Sequence, residues 1–210
     1  MTTAIAPTLT PTSVTPPPRA LPVVAAPPAP HRFSVEQYQR MIEAGVFSDD
    51  DKIELLEGYL VTKMPHSAPH DGTLDLVKEA FGDNRPKGWC LRSQQSIQLA
   101  DSQPEPDVSL VRGNSRSFVA VHPTAAEVGV AVEIAVSSLL IDRRQKARIY
   151  ALAGIVEYWI VNVVDRQIEV HTLPVGDGYT NVQNYTAGQS LPLTLDGVAV
   201  ATIAVDALLP

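Results

Sequence analysis

Gly129-Val-Ala-Val-Glu133-Ile-Ala-Val-Ser-Ser138 is the run on which the fold turns. From Glu127 to Val136 the residues are almost continuously apolar and rich in valine, as expected of a strand covered on both faces. Such a strand needs a layer of structure on each side, which points to a mixed α/β domain: a central mixed β-sheet flanked by helices. Glu133 interrupts the run. A lone carboxylate in that setting is costly unless it is paired, protonated or bound to a metal.

Upstream, Glu105-Pro-Asp107 leads into the apolar Val108 to Val111, so a strand over Asp107–Arg112 carries a second acid at its start. Downstream, Asp142-Arg-Arg-Gln-Lys146 falls on a predicted helix over Leu140–Ala153. Tyr158–Val164 and Gln167–Leu173 read as strands on either side of an Asp165-Arg166 turn, with Trp159 and Tyr158 as core and edge residues. An acid pair with a nearby lysine is the minimum kit for holding a divalent cation and activating water against a phosphodiester. Spacing alone also admits plainer roles. Asp142 and Lys146 are four residues apart and would make an exposed ion pair worth a few tenths of a kcal/mol. Glu54, beside Glu57 on a predicted strand, would face solvent, and His70 would cap the helix it opens.

Nearer the N-terminus, Phe33–Ala44 reads as a helix. Ser34 and Gln37 form a capping box, Gly45 closes the helix, and Val35, Tyr38, Met41 and Ile42 share a face. Ile53–Lys63 is a strand pair bending at Gly58, and Met64–Pro69 is a loop. A helix follows from His70 to Phe81, with Leu74, Val77 and Phe81 inward. Short strands are expected at Trp89–Gln94, Ser96–Leu99 and Phe118–Val121. Residues 177–208 alternate between turn signals, suggesting extra C-terminal strands at the sheet edge.

Residues 1–30 hold nine of the 18 prolines and no acid, which predicts a disordered, partly polyproline-II tail over 1–31 ahead of one domain over 32–210. Leu21–Ala26 is too short and proline-broken for a signal sequence, and no stretch is apolar enough to span a membrane. The single cysteine, Cys90, excludes an internal disulfide and a cysteine-rich metal site, and fits a reducing compartment. The net charge is −7, the wrong sign for a protein that coats nucleic acid non-specifically. It is compatible with a cluster of carboxylates whose charge a metal offsets. There is no glycine-rich phosphate loop, no G-x-S-x-G elbow, and no H-E-x-x-H motif among the five histidines.

The ordered series Glu54-Leu-Leu-Glu-Gly58, His70, Pro106-Asp107-Val108, Glu133-Ile-Ala-Val-Ser137-Ser138, Asp142-Arg-Arg-Gln-Lys146 and Ala153-Gly-Ile-Val-Glu-Tyr-Trp-Ile-Val161 resembles a known family. It is the Uma-type branch of the PD-(D/E)XK nuclease superfamily, a bacterial group with a restriction-endonuclease-like core. The position two after Glu133 is Ala135, so the resemblance assigns the motif's lysine to Lys146 on the following helix. It implies an endonuclease acting on DNA with Mg²⁺ (Mn²⁺ substituting). Glu54, Asp107, Glu133 and the Ile134 carbonyl would hold the metal. Asp107, Glu133, Lys146 and Glu54 would be catalytic, and His70 and Asp142 auxiliary. It further implies a cytoplasmic bacterial protein and a homodimer, since two cuts need two sites. Two rivals compete: a catalytically inactive nuclease fold acting as a binding or scaffolding module for a protein partner, and a toxin-like ribonuclease.

Overall fold

The computed structural model describes Met1 and residues 29–48 and 50–210. The chain divides into Met1–Pro30 and His31–Pro210, and the helices and strands of the described residues all lie in the second unit. The tail expected over residues 1–31 lies almost wholly outside the described residues.

The apolar run is a strand, β5 (Val128–Ala135), and all eight of its residues are buried. It lies inside a six-stranded mixed sheet of order β3-β4-β5-β6-β7-β8. The other members are β3 (Trp89–Ser93), β4 (Val108–Arg112), β6 (Glu157–Asn162), β7 (Gln167–Val175) and β8 (Gly178–Thr186). Only β5 and β6 run parallel, as the crossover between them requires; the remaining neighbours are antiparallel.

Alternation along β5 sorts the layers. Val130, Val132 and Ile134 join Trp159, Val161 and Ile168 under Leu74, Val77 and Phe81 of helix α2 (Ala68–Asn84). Ala131 and Ala135 face the other way, with Ile160 and Tyr158, toward Ala147, Ile149 and Tyr150. Glu133 shares this second face. Its neighbour Gly129 falls where the β4–β5 register slips by one residue. A Cβ there would lie 2.5 Å from the Trp89 ring and 2.6 Å from Leu195, so close packing leaves room for glycine alone.

Helix α1 (Val35–Glu43) carries the expected capping box and buries Val35 and Tyr38, but Ile42, near its C-terminal end, is 47% exposed. Strands β1 (Ile53–Leu56) and β2 (Tyr59–Thr62) form a separate hairpin. Its turn residues Glu57 and Gly58 both have positive φ (51° and 79°), a type I′ turn. Gly58 is also pressed against Arg32, which a Cβ would meet at 2.8 Å. Helix α2 starts two residues before the predicted His70, because Pro69 is tolerated in a first turn.

Four expectations are corrected. Ser96–Leu99 makes one isolated bridge, Gln98 to Thr124, instead of a strand. Phe118–Val121 is not a strand; Ser115–Phe118 is a 3₁₀ turn. The helix expected over Leu140–Ala153 is α3 (Leu139–Ile141), a π-helical turn at Asp142–Lys146, and α4 (Ala147–Leu152). Of the C-terminal strands only β8 extends the sheet. β9 (Ser190–Leu195) and β10 (Val198–Ala204) form their own hairpin, whose Leu191, Leu193 and Ile203 pack into the α2-side core. These residues gain more by covering that apolar face than by extending an edge.

Candidate active site

The β1–β2 hairpin, the start of α2, the ends of β4 and β5, and the π-helical turn surround one cleft. Glu54, His70, Asp107, Glu133, Ile134, Asp142 and Lys146 all line it. The structure thus brings every residue singled out above to one place. None is exposed: Glu54, His70, Asp107, Glu133, Asp142 and Lys146 are all buried. The plainer roles for Glu54 (solvent-facing), His70 (surface cap) and the Asp142–Lys146 pair (exposed) do not hold.

Each side chain has a local cause. Glu54 is on β1, and its Oε2 accepts from the Glu105 backbone N–H at 3.2 Å. Asp107 sits just before β4, where its Oδ2 accepts from the Ile134 N–H at 2.8 Å and fixes the carboxylate beside β5. Lys146 arrives on the π-helical turn, an irregularity often found at functional sites. Two ion pairs tie the turn and the helix after it to neighbouring strands. Arg143 makes bonds of 2.9 and 2.7 Å to the two Glu169 oxygens on β7, and Arg148 pairs with Glu57 in the hairpin turn.

Lys146 Nζ stands 2.7 Å from Glu54 Oε2 and 3.4 Å from Glu133 Oε1. Tyr150, one helical turn on, donates to Glu133 Oε1 at 2.7 Å. Asp142 accepts from Ser138 Oγ at 2.5 Å. His70 Nε2 lies 3.2 Å from Asp107 Oδ2. Sequence reasoning missed Tyr150, Ser138 and His66. Tyr150 and Ser138 stand four residues from Lys146 and Asp142, and that spacing was the available signal; His66 lies in a loop, where the same spacing carries none.

Charge explains the titration of the cleft. Burial pushes the Glu133 carboxyl up to about 8, with Asp107, Asp142 and Glu54 adding to the push and Lys146 opposing it. Burial likewise lifts Asp142 to about 6. Burial disfavours the Lys146 ammonium, but Glu133 and Glu54 outweigh it and raise its pKa, so the amine stays charged. Burial would raise Asp107, but the bond and charge of His70, the Ile134 N–H and Lys63 together outweigh this and hold it below the usual carboxylate range.

With Lys63 and Glu105 paired to each other, the other four carboxylates of the cleft face one lysine and two histidines, which leaves a deficit of positive charge. Oxygen donors from Glu54, Asp107 and Glu133 are the hard set that Mg²⁺ or Mn²⁺ prefers, and the raised Glu133 marks where such a cation would relieve repulsion. The residues therefore fit a divalent metal.

Residues 35–205 match the family described as "Uma2: Putative restriction endonuclease". The chain belongs to this family. No curated protein matches it in sequence. Among solved structures, the Uma2 chain is similar to a crystal structure described as a "putative nuclease belonging to DUF820" from Anabaena variabilis ATCC 29413. The TM-score is 0.59 and the identity 11%, over 84% of this chain and 97% of that one. At that identity the likeness is one of fold: a mixed α/β architecture around a six-stranded mixed sheet. Family membership supports a nuclease-like function. Among the described residues no helix is long and apolar enough to cross a membrane.

Proposed function

We propose that this Uma2 chain is a Mg²⁺-dependent endodeoxyribonuclease that hydrolyses phosphodiester bonds in DNA, working in the cytoplasm as a homodimer. The observation that carries the reading is Lys146 Nζ set between Glu54 and Glu133, beside Asp107, in one buried cleft. Glu54, Asp107, Glu133 and the Ile134 carbonyl would hold the metal. When bound, a divalent cation supplies Lewis acidity to the phosphate and lowers the pKa of water.

The protein's own groups do the rest. Lys146, kept cationic by its two carboxylates, orients the attacking water and stabilises the charge that develops on the phosphoryl oxygens. Tyr150 fixes Glu133, and Ser138 fixes Asp142, so neither carboxylate needs to reorganise during reaction. Asp142 adds negative potential that favours the Lys146 ammonium. His70 holds Asp107 in place as an auxiliary group.

The test is a substrate panel: supercoiled plasmid, linear duplex, branched duplex, single-stranded DNA and RNA, each with Mg²⁺, Mn²⁺ or EDTA. Cleavage of DNA with either metal and none in EDTA is the expected result. Cleavage confined to RNA, or cleavage undiminished in EDTA, would overturn the reading.

A further inference from the structure

The mouth of the cleft holds a second cluster, different in chemistry from the carboxylate set. His66 precedes α2 and His70 lies four residues on, in its first turn. Their rings stack with centroids 4.2 Å apart and planes 24° apart. One ring nitrogen from each, with an oxygen of Asp107, all lie within 4.8 Å of one another. The group needs only a modest closure to reach the spacing of ligands on a single ion.

We propose that His66, His70 and Asp107 form a distinct metal site that takes a borderline transition ion of the zinc class in preference to Mg²⁺. Three observations support it. Two imidazoles and one carboxylate are the donor set that such ions favour, whereas Mg²⁺ seeks oxygen alone. His70 is already oriented as a ligand. Its Nε2 faces Asp107 Oδ2 at 3.2 Å while its Nδ1 lies 3.4 Å from Asp71 Oδ1. A carboxylate behind the ring is the usual support of a ligating histidine. His66 is positioned in turn by Gln94 Nε2 at 3.2 Å and by Asp71 Oδ1 at 3.5 Å, and it is partly open to solvent, which gives an ion a way in. Three protein ligands would leave a fourth position open to water or to a phosphate oxygen.

The site shares Asp107 with the proposed Mg²⁺ cleft but does not require that cleft to cut DNA. Untagged protein is titrated calorimetrically with Zn²⁺, and with Co²⁺ followed by its visible absorption. The parent, His66→Ala and Glu133→Gln are compared. One Zn²⁺ per chain is expected in the parent. The His66→Ala variant should bind more than about 100-fold more weakly, beyond the 10–100-fold that loss of a mere supporting residue causes. The Glu133→Gln variant should bind Zn²⁺ as the parent does while losing its response to Mg²⁺. No Zn²⁺ binding in the parent, equal binding in His66→Ala, or loss of Zn²⁺ binding in Glu133→Gln would each overturn the proposal.

Discussion

Glu133 sits deep among apolar neighbours with three other carboxylates near it, and burial drives its carboxyl up to about 8. A group built only for stability would not be placed so. Glu133→Gln keeps an oxygen to accept from Tyr150 and leaves Lys146 its shorter contact with Glu54. In EDTA at neutral pH the variant should therefore be more stable than the parent, by on the order of 1–3 kcal/mol in urea denaturation, because folding no longer has to protonate a carboxylate that is ionised in the unfolded chain. A clear loss of stability would mean that Glu133 is chiefly a structural partner of Lys146. This part of the site was readable in advance. An acid inside a valine-rich strand is rare enough to stand out, and Asp107 before an apolar run does the same. The burial of Glu54 and Lys146 was not readable. It depends on how a separate hairpin and a distant helix close over the sheet, which no local pattern encodes.

At the scale of elements, β5 is the frame and its bulge sets the packing beneath Trp89. Gly129→Ala would press a methyl group into the Trp89 ring and Leu195. A destabilisation of about 1–3 kcal/mol is expected from overpacking, read by thermal or urea unfolding. An unchanged stability would show that the β9–β10 hairpin shifts freely. The strand was legible because its composition admits little else. The π-helical turn was not, since Asp142-Arg-Arg-Gln-Lys146 is an ordinary helical sequence and nothing local in it marks the irregularity. The β9–β10 hairpin shows the same limit. Alternation revealed strands, but not that their apolar side would cover α2's face of the sheet instead of lengthening its edge. His66 was passed over because a histidine in a loop carries no periodic signal; only the placement of α2 against Asp107 gives it neighbours.

For the whole molecule, buried acids set the response to pH. Glu157 on β6 is buried, accepts from Trp159 Nε1 at 2.7 Å, and is pushed by that burial up to about 7. Its folded pKa exceeds its unfolded value of 4.5. The folded protein therefore holds a proton that the unfolded chain has lost, and stability falls as pH rises from about 4.5 to about 7. The Glu157→Gln variant should lose that part of the slope, on the order of 3 kcal/mol across the window, with Tm measured at several pH values. A parent and variant with parallel pH profiles would exclude this source.

In the proposed reaction a lysine held between two carboxylates would serve phosphodiester hydrolysis. The most direct measurement is the rate of plasmid nicking in Mg²⁺ by the parent and by Lys146→Met, with both first shown to be folded by circular dichroism. The expected result is a loss of about 10²–10³-fold or more, the scale on which removal of one transition-state charge acts. Equal rates in parent and variant would contradict the account.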